Sequence, residues 1–133
     1  MSAELEKGLY SKLSGSSPQT LAASRVYPRL PQGVKFPAIR YQRIAVIRKQ
    51  SLDANVGVTE VTMQIDCMAQ TYSNAKTLAD SVRVILHGFQ GAWGSTLIAR
   101  NVRLDTENDF FEQDGDRVTH WVSQRYTIWT DMD

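Results

Sequence analysis

Two histidines, one cysteine, three closely spaced glycines and a block of carboxylates are the side chains through which this sequence could do chemistry. His87 and His120 have no Cys, His or carboxylate at the spacing a structural or catalytic metal requires. His120, Ser123 and an aspartate would make a nominal triad. Within one predicted strand, however, His120 and Ser123 lie an odd number of positions apart and so face opposite sides, and no nucleophile elbow accompanies them. Gly88, Gly91 and Gly94 follow a predicted helix and precede a strand, the reverse of a phosphate-cradling loop, and read as caps and turns. Cys67 falls on the apolar face of a predicted strand with no base near it in sequence, which makes it a buried, inert thiol. No catalytic residue, cofactor or metal is implied.

The carboxylates and their basic counterpart are more informative. From Asp105 to Asp116 the chain carries Asp105, Glu107, Asp109, Glu112, Asp114 and Asp116 with no Lys or Arg, whereas between Lys7 and Leu52 it has no acidic residue at all. Acid–base work needs a desolvated carboxyl group, but these carboxylates surround a predicted hairpin tip. They are read as a solvated loop or as a charge-steering, protein-docking surface. The basic stretch Arg25–Lys49 interleaves Tyr27, Phe36 and Tyr41, as single-strand nucleic-acid binders do. Against that, the pI of about 7.9 is mild and no predicted helix has a basic face. Opposite charge blocks on one chain can instead meet head to tail between copies, and such heterologous contacts close into a ring where the rotation permits.

The elements that position these residues can be read from hydrophobic spacing. Leu5, Leu9 and Leu13 predict an amphipathic helix over Ala3–Leu13, capped by Ser2 and ended by Gly15. Arg25–Tyr27 is a short extended stretch stopped by Pro28. Ala38–Ile47 is a strand with Ile39 and Tyr41 on one face and Arg40 and Gln42 on the other; its alternation weakens at Ile44–Ile47, implying a bulge or burial on both faces. Arg48–Asn55 reads as a polar, mobile loop. Gly57–Thr71 is the clearest strand, with Val61, Met63, Ile65, Cys67 and Ala69 on one face. A second helix, capped by Ser73 or Asn74, carries the stripe Ala75, Leu78, Ala79, Val82, Ile85, Leu86 and Phe89, with Gly88 suited to a left-handed cap. Strands at about Thr96–Phe111 and Val118–Thr130 flank an Asp114-Gly115 hairpin signal.

These elements predict a single α+β domain over residues 1–133: a mostly antiparallel sheet, two helices packed on one face, and a C-terminal β-hairpin. The lone cysteine suits a reducing compartment. The polar, acidic start is unlike a signal peptide, and no apolar run approaches the roughly 20 residues of a membrane span, so the chain is expected in the cytoplasm of the cell that makes it.

Three stretches resemble one known family. They are Arg25–Pro28 with Pro31–Gly33 and Phe36–Gln42; Gln64–Ala69 running through Tyr72 into Ala75–Arg83; and Asp109–Glu112 followed by Trp121–Trp129. In this order and spacing they are similar to the tail terminator, or tail completion, proteins of long-tailed bacteriophages. The resemblance implies a structural protein of the virion tail or neck, assembled in the host cytoplasm, and not an enzyme. It implies a self-associated ring, commonly a hexamer, that caps the head-proximal end of the tail tube, ends its polymerisation and joins the tail to the head connector. The implied partners are other copies of the chain, the tube protein and the head completion or connector protein. DNA would pass through the channel without being read, and no membrane is involved. Under this reading Arg40, Arg43, Arg48, Lys49 and Asp53 are candidate subunit or partner contacts. Asp105, Glu107, Asp109, Glu112, Asp114 and Asp116 form a candidate channel-wall or docking hairpin. Two alternatives stand beside it: a nucleic-acid-associated module using Arg25–Lys49, and another neck component.

Overall fold

Side chains alternate across a strand, so one apolar face every second residue is enough to seat a sheet on a helix, and the longest strands of this chain follow that rule. The computed structural model describes residues 7–10, 26–28, 36–50, 55–93 and 97–131, with the backbone alone at 48–50, 55–58, 97, 114 and 131. The strands are β1 (Val26–Tyr27), β2 (Ala38–Gln50), β3 (Asn55–Ala69), β4 (Gly91–Trp93), β5 (Leu97–Asp114) and β6 (Arg117–Asp131); one long helix, α1 (Tyr72–Leu86), lies between β3 and β4. They form one six-stranded sheet in the order β1-β2-β3-β6-β5-β4. Every pairing is antiparallel except β1 on β2.

The core lies between α1 and one sheet face. Val61, Met63, Ile65, Cys67 and Ala69 of β3 and Val122, Tyr126 and Ile128 of β6 are buried there beneath Ala75, Leu78, Ala79, Val82 and Leu86 of α1. Ile39 and Tyr41 of β2 extend this layer, and Leu9, from helical residues 7–10, closes it at the β2 side. Both helical segments therefore pack on one face, as expected, although the rest of the predicted Ala3–Leu13 helix lies outside the described residues. Trp93 of β4 is fully buried and meets Phe89 edge to face. Burial pushes the Cys67 thiol far above its usual range, with the neighbouring Asp66 and Glu107 charges adding to the effect, so the thiol stays protonated and inert.

Local chemistry accounts for the boundaries, and in places corrects the sequence reading. The cap of α1 is Thr71, not Ser73 or Asn74: its Oγ1 accepts a hydrogen bond from the Asn74 N–H at 3.2 Å, which draws Tyr72 into the first turn. Gly88, at φ +80°, takes the left-handed position just past the helix. The weak alternation at Ile44–Ile47 marks a bulge between Arg43 and Ala45, after which Val46 returns to the core and Ile44 and Ile47 are exposed. Arg48–Gln50 continue β2 where a mobile loop was expected, and β3 starts at Asn55, because the two strands carry on their ladder beyond the core. β5 and β6 are likewise longer than predicted, and meet at the two-residue loop Gly115–Asp116 with Gly115 at φ +61°.

Candidate assembly surface

The β5–β6 hairpin carries most of the residues singled out for function. Asn108 pairs with Ser123, Phe110 with Trp121, and Glu112 with Thr119, on the face away from α1. A bulge between Leu104 and Thr106 shifts the parity, so that Glu107, Asp109 and Phe111 turn to the α1 face while Asp105 faces away from it. Each of these carboxylates has a definable position. Asp105 accepts hydrogen bonds from the Thr127 hydroxyl and, at 2.6 Å, from Arg103 Nε. Burial opposes its charge, but these two donors outweigh burial and hold its carboxyl below the usual range. Glu107 receives the amide of the fully buried Gln124 at 3.4 Å; the same amide donates to the Ala79 carbonyl at 3.1 Å, and Tyr126 OH donates to Gln124 Oε1 at 3.0 Å. Asp109 accepts from Tyr72 OH at 3.0 Å and from Lys76 Nζ at 3.4 Å. Glu112 and Asp116 are exposed, Asp114 ends β5 opposite Arg117, and the carboxylates do not converge on one point.

The expected basic contacts are less uniform than the sequence suggests. Arg40 is committed within the subunit: its Nη2 lies 2.5 Å and its Nε 3.0 Å from Oδ2 of Asp66, a carboxylate only 2% exposed that Gln64 also contacts. Opposite alternation on β2 and β3 put Arg40 and Asp66 directly across from each other. Arg43 is half-buried just before the β2 bulge. Arg48 and Lys49 lie on β2, with their side chains outside the description, and Asp53 lies outside the described residues.

Sequence reasoning missed the aromatic residues that flank the carboxylates. Phe110 stacks on Trp121 at 5.3 Å between ring centroids, and Phe111 leans on His120 at 4.9 Å, itself edge-on to Tyr72. Phe110 is 46% exposed and Phe111 57% exposed, on opposite faces of the sheet, so each face of an otherwise acidic strand shows one apolar ring. Consecutive phenylalanines inside an acidic run were the available signal. Arg117 lies over the Phe36 ring at 4.6 Å, and a shallow cleft of about 340 Å³ opens between Phe36, Arg40, Met68, Glu112 and Trp121. His120 and Ser123 do face opposite sides of the sheet, so no triad assembles. Among the described residues no group of His, Cys, Asp and Glu is gathered at metal-binding distance, and no helix is long and apolar enough to cross a membrane.

Among the described residues both margins of the sheet are thinly covered. β1 pairs with β2 only at Ile39 and Arg40, and β4 pairs with β5 only from Leu97 to Ala99. The turn after α1 seals a little more of β5: the Gly88 N–H donates to the Val102 carbonyl at 2.6 Å, and the Leu104 N–H donates to Nδ1 of His87 at 3.1 Å. Beyond those points no described strand pairs with either margin.

The family described as tail completion protein gp17 matches residues 7–131 of this chain. A solved chain from the virion of a native gene transfer agent particle shares the fold, with a TM-score of 0.78 at 13% identity over 98% of this chain and 96% of that one. No curated protein sequence matches.

Proposed function

The chain belongs to the tail completion protein gp17 family, structural proteins of the phage virion tail, and from that premise we propose that it is one domain, residues 1–133, that assembles into a ring, six copies being the expected number, on the head-proximal end of the tail tube. The ring ends tube polymerisation and offers the head completion or connector protein its docking face, while DNA passes through the central channel unread. The protein works by binding, not by catalysis. The observation that carries this reading is the family match across nearly the whole chain, and the disposition of the hairpin agrees with it. Two adjacent exposed phenylalanines within a run of carboxylates are apolar surface that a partner would cover.

In this reading Asp105, Glu107, Asp109, Glu112, Asp114 and Asp116 form the docking or channel-facing hairpin, and negative walls there discourage DNA from sticking because phosphates find no cations to displace their counterions. Arg43, Arg48, Lys49 and Asp53 are subunit or partner contacts. Arg40 is better placed as an internal brace, given its bond to Asp66. The same bond weakens the alternative of a nucleic-acid surface over Arg25–Lys49, since one of its central cations is already neutralised.

Electron microscopy of the purified protein mixed with tail tube subunits tests the proposal. Tubes of limited length, each with a cap at one end, are the expected result. Tube growth identical with and without the protein would overturn it.

A further inference from the structure

We propose that the two margins of the sheet are the two halves of one contact: the outer edge of β2 in one copy pairs, antiparallel and through main-chain hydrogen bonds, with the outer edge of residues 105–114 of β5 in the next copy. The occupant of each edge is thus a second copy of this chain, and the inference deepens the ring reading above and rests on it.

The first argument is backbone accounting. Past Arg40 on β2 and past Leu104 on β5, no described strand takes up the outward N–H and C=O groups. From Gln42 to Gln50 on β2 and from Asp105 to Asp114 on β5, roughly 30 Å of strand each, no pairing with a further described strand is present on the outer side. Edges of that length invite pairing, and proteins that avoid it blunt them with proline, bulges, charged side chains or a cover. Both edges here carry charges, with bulges at Arg43/Ala45, Arg48/Gln50 and Leu104/Thr106, but the charges of the two are opposite in sign. Neither open stretch contains a proline.

The second argument is charge. Apart from Arg40, which is held by Asp66, β2 carries Arg43, Arg48 and Lys49 and no acid. Residues 105–114 of β5 carry Glu107, Glu112 and Asp114, besides Asp105 and Asp109 that meet Arg103 and Lys76 within the subunit, and no base. Pairing like edges, β2 on β2 or β5 on β5, would set like charges across a ladder, which destabilises it. Pairing unlike edges sets opposite charges across it. The sequence therefore disfavours the two-fold dimer and selects the head-to-tail contact that closes into a ring. Exposed apolar side chains sit at both edges on the face away from α1, Ile47 on β2 (51% exposed) and Phe110 on β5, and the same contact would cover both.

The third argument is direction. β2 and β6 run one way, β3 and β5 the other. Copies related by rotation about an axis along the sheet keep these directions, so β5 of one meets β2 of the next antiparallel. The open stretches are offset along the strands: Val46 is level with Ile128 of β6 through Val61, and Phe110 is level with Trp121, seven residues away along β6 (128 − 121). Joining them requires a step of about 23 Å along the strands for about 19 Å across four strands, a steep tilt comparable to that of closed barrels.

The test uses tails purified from cells producing the particle, with cysteine introduced at exposed positions on the face away from α1. Ala45→Cys or Ile47→Cys is combined with Asn108→Cys, Phe110→Cys or Glu112→Cys, giving six pairs treated with a short bis-maleimide; Cys67 is fully buried and stays out of the reaction. The expected result is a ladder of linked copies for pairs whose residue numbers share one sum, the signature of antiparallel register: if 45 links to 110, then 47 links to 108. An amine-reactive cross-linker is run in parallel. A ladder with that reagent and none with any cysteine pair overturns the edge contact while leaving the ring intact. No ladder with either reagent overturns the ring reading itself, and the inference with it. A second measurement is independent of thiol chemistry. Glu107→Lys with Glu112→Lys lowers incorporation into tails at least tenfold, and adding Arg43→Glu with Arg48→Glu to the same chain restores it. Loss without restoration counts against the pairing.

Discussion

The two halves of β5 share one partner strand and one ladder, yet they are held by different forces. In the first half Ala99 and Val102 are buried, Leu104 packs on the core, and the end of α1 takes up the backbone groups of 102 and 104. In the second half the described residues from Thr106 to Gln113 are exposed and Asp105 is only partly covered, although the pairing with β6 continues to Asp114. Apolar burial at about 25 cal/mol per Å² stabilises the first half. The second depends on hydrogen bonds of about 1 kcal/mol net each and on ring contacts with Trp121 and His120. A strand half that adds little to the core is free to be selected for something other than folding.

The sharpest way to break this comparison is to truncate one apolar residue in each region. Ile65→Ala, under α1, is expected to cost about 3–4 kcal/mol and lower Tm by roughly 10–15 °C, whereas Phe111→Ala on the distal half costs less than about 1 kcal/mol in the free subunit. Equal losses in a thermal melt would show that the distal half is core after all. Next in size, Arg40→Ala strands the buried Asp66 carboxylate. Because Arg40 is itself about one-third exposed, the cost is discounted to about 2–3 kcal/mol, measured by urea unfolding. Thr71→Ala removes the cap of α1 and costs about 1 kcal/mol in the same assay, with Thr71→Ser recovering most of it. The smallest effect concerns Asp105, at the bulge that joins the halves. Its folded pKa is lowered, so its stabilisation is present above the unfolded value of about 4 and is lost as the pH falls through the folded value. Asp105→Asn should flatten the decline in stability below pH ~4 by a few tenths of a kcal/mol, after allowance for solvent screening.

Much of the fold was legible because its signals are local and periodic. The alternation Val61 to Ala69, the stripe Ala75 to Leu86 and the Gly115 turn each specify their element without knowledge of the rest. The Thr71 cap was also local, but Ser73 and Asn74 are competing caps within three residues, and only the backbone geometry separates them. β1 was legible as the short extended stretch that Pro28 stops, whereas β4, of three residues, is too short to show a period and is fixed by the edge that β5 presents to it. The Arg40–Asp66 pair and the Phe110–Trp121 stack required the register between strands 26 and 11 positions apart (66 − 40 and 121 − 110), which single-strand patterns do not contain. The charge blocks were visible at once. What the structure adds is that Arg40, Asp105 and Asp109 are engaged within the subunit, while Glu112 is exposed.

With Trp129, half-buried under Arg103 at 5.1 Å, replaced by phenylalanine, the other two of the three tryptophans give the molecule two separate optical voices. Trp93 is sealed inside and should emit at short wavelength, silent to events at the surface, whereas Trp121, half-covered beneath Phe110, emits from the solvent boundary. A blue shift or a loss of iodide quenching confined to the Trp121 component would therefore time the moment at which the outer face of the hairpin is covered, with no dye attached to the chain.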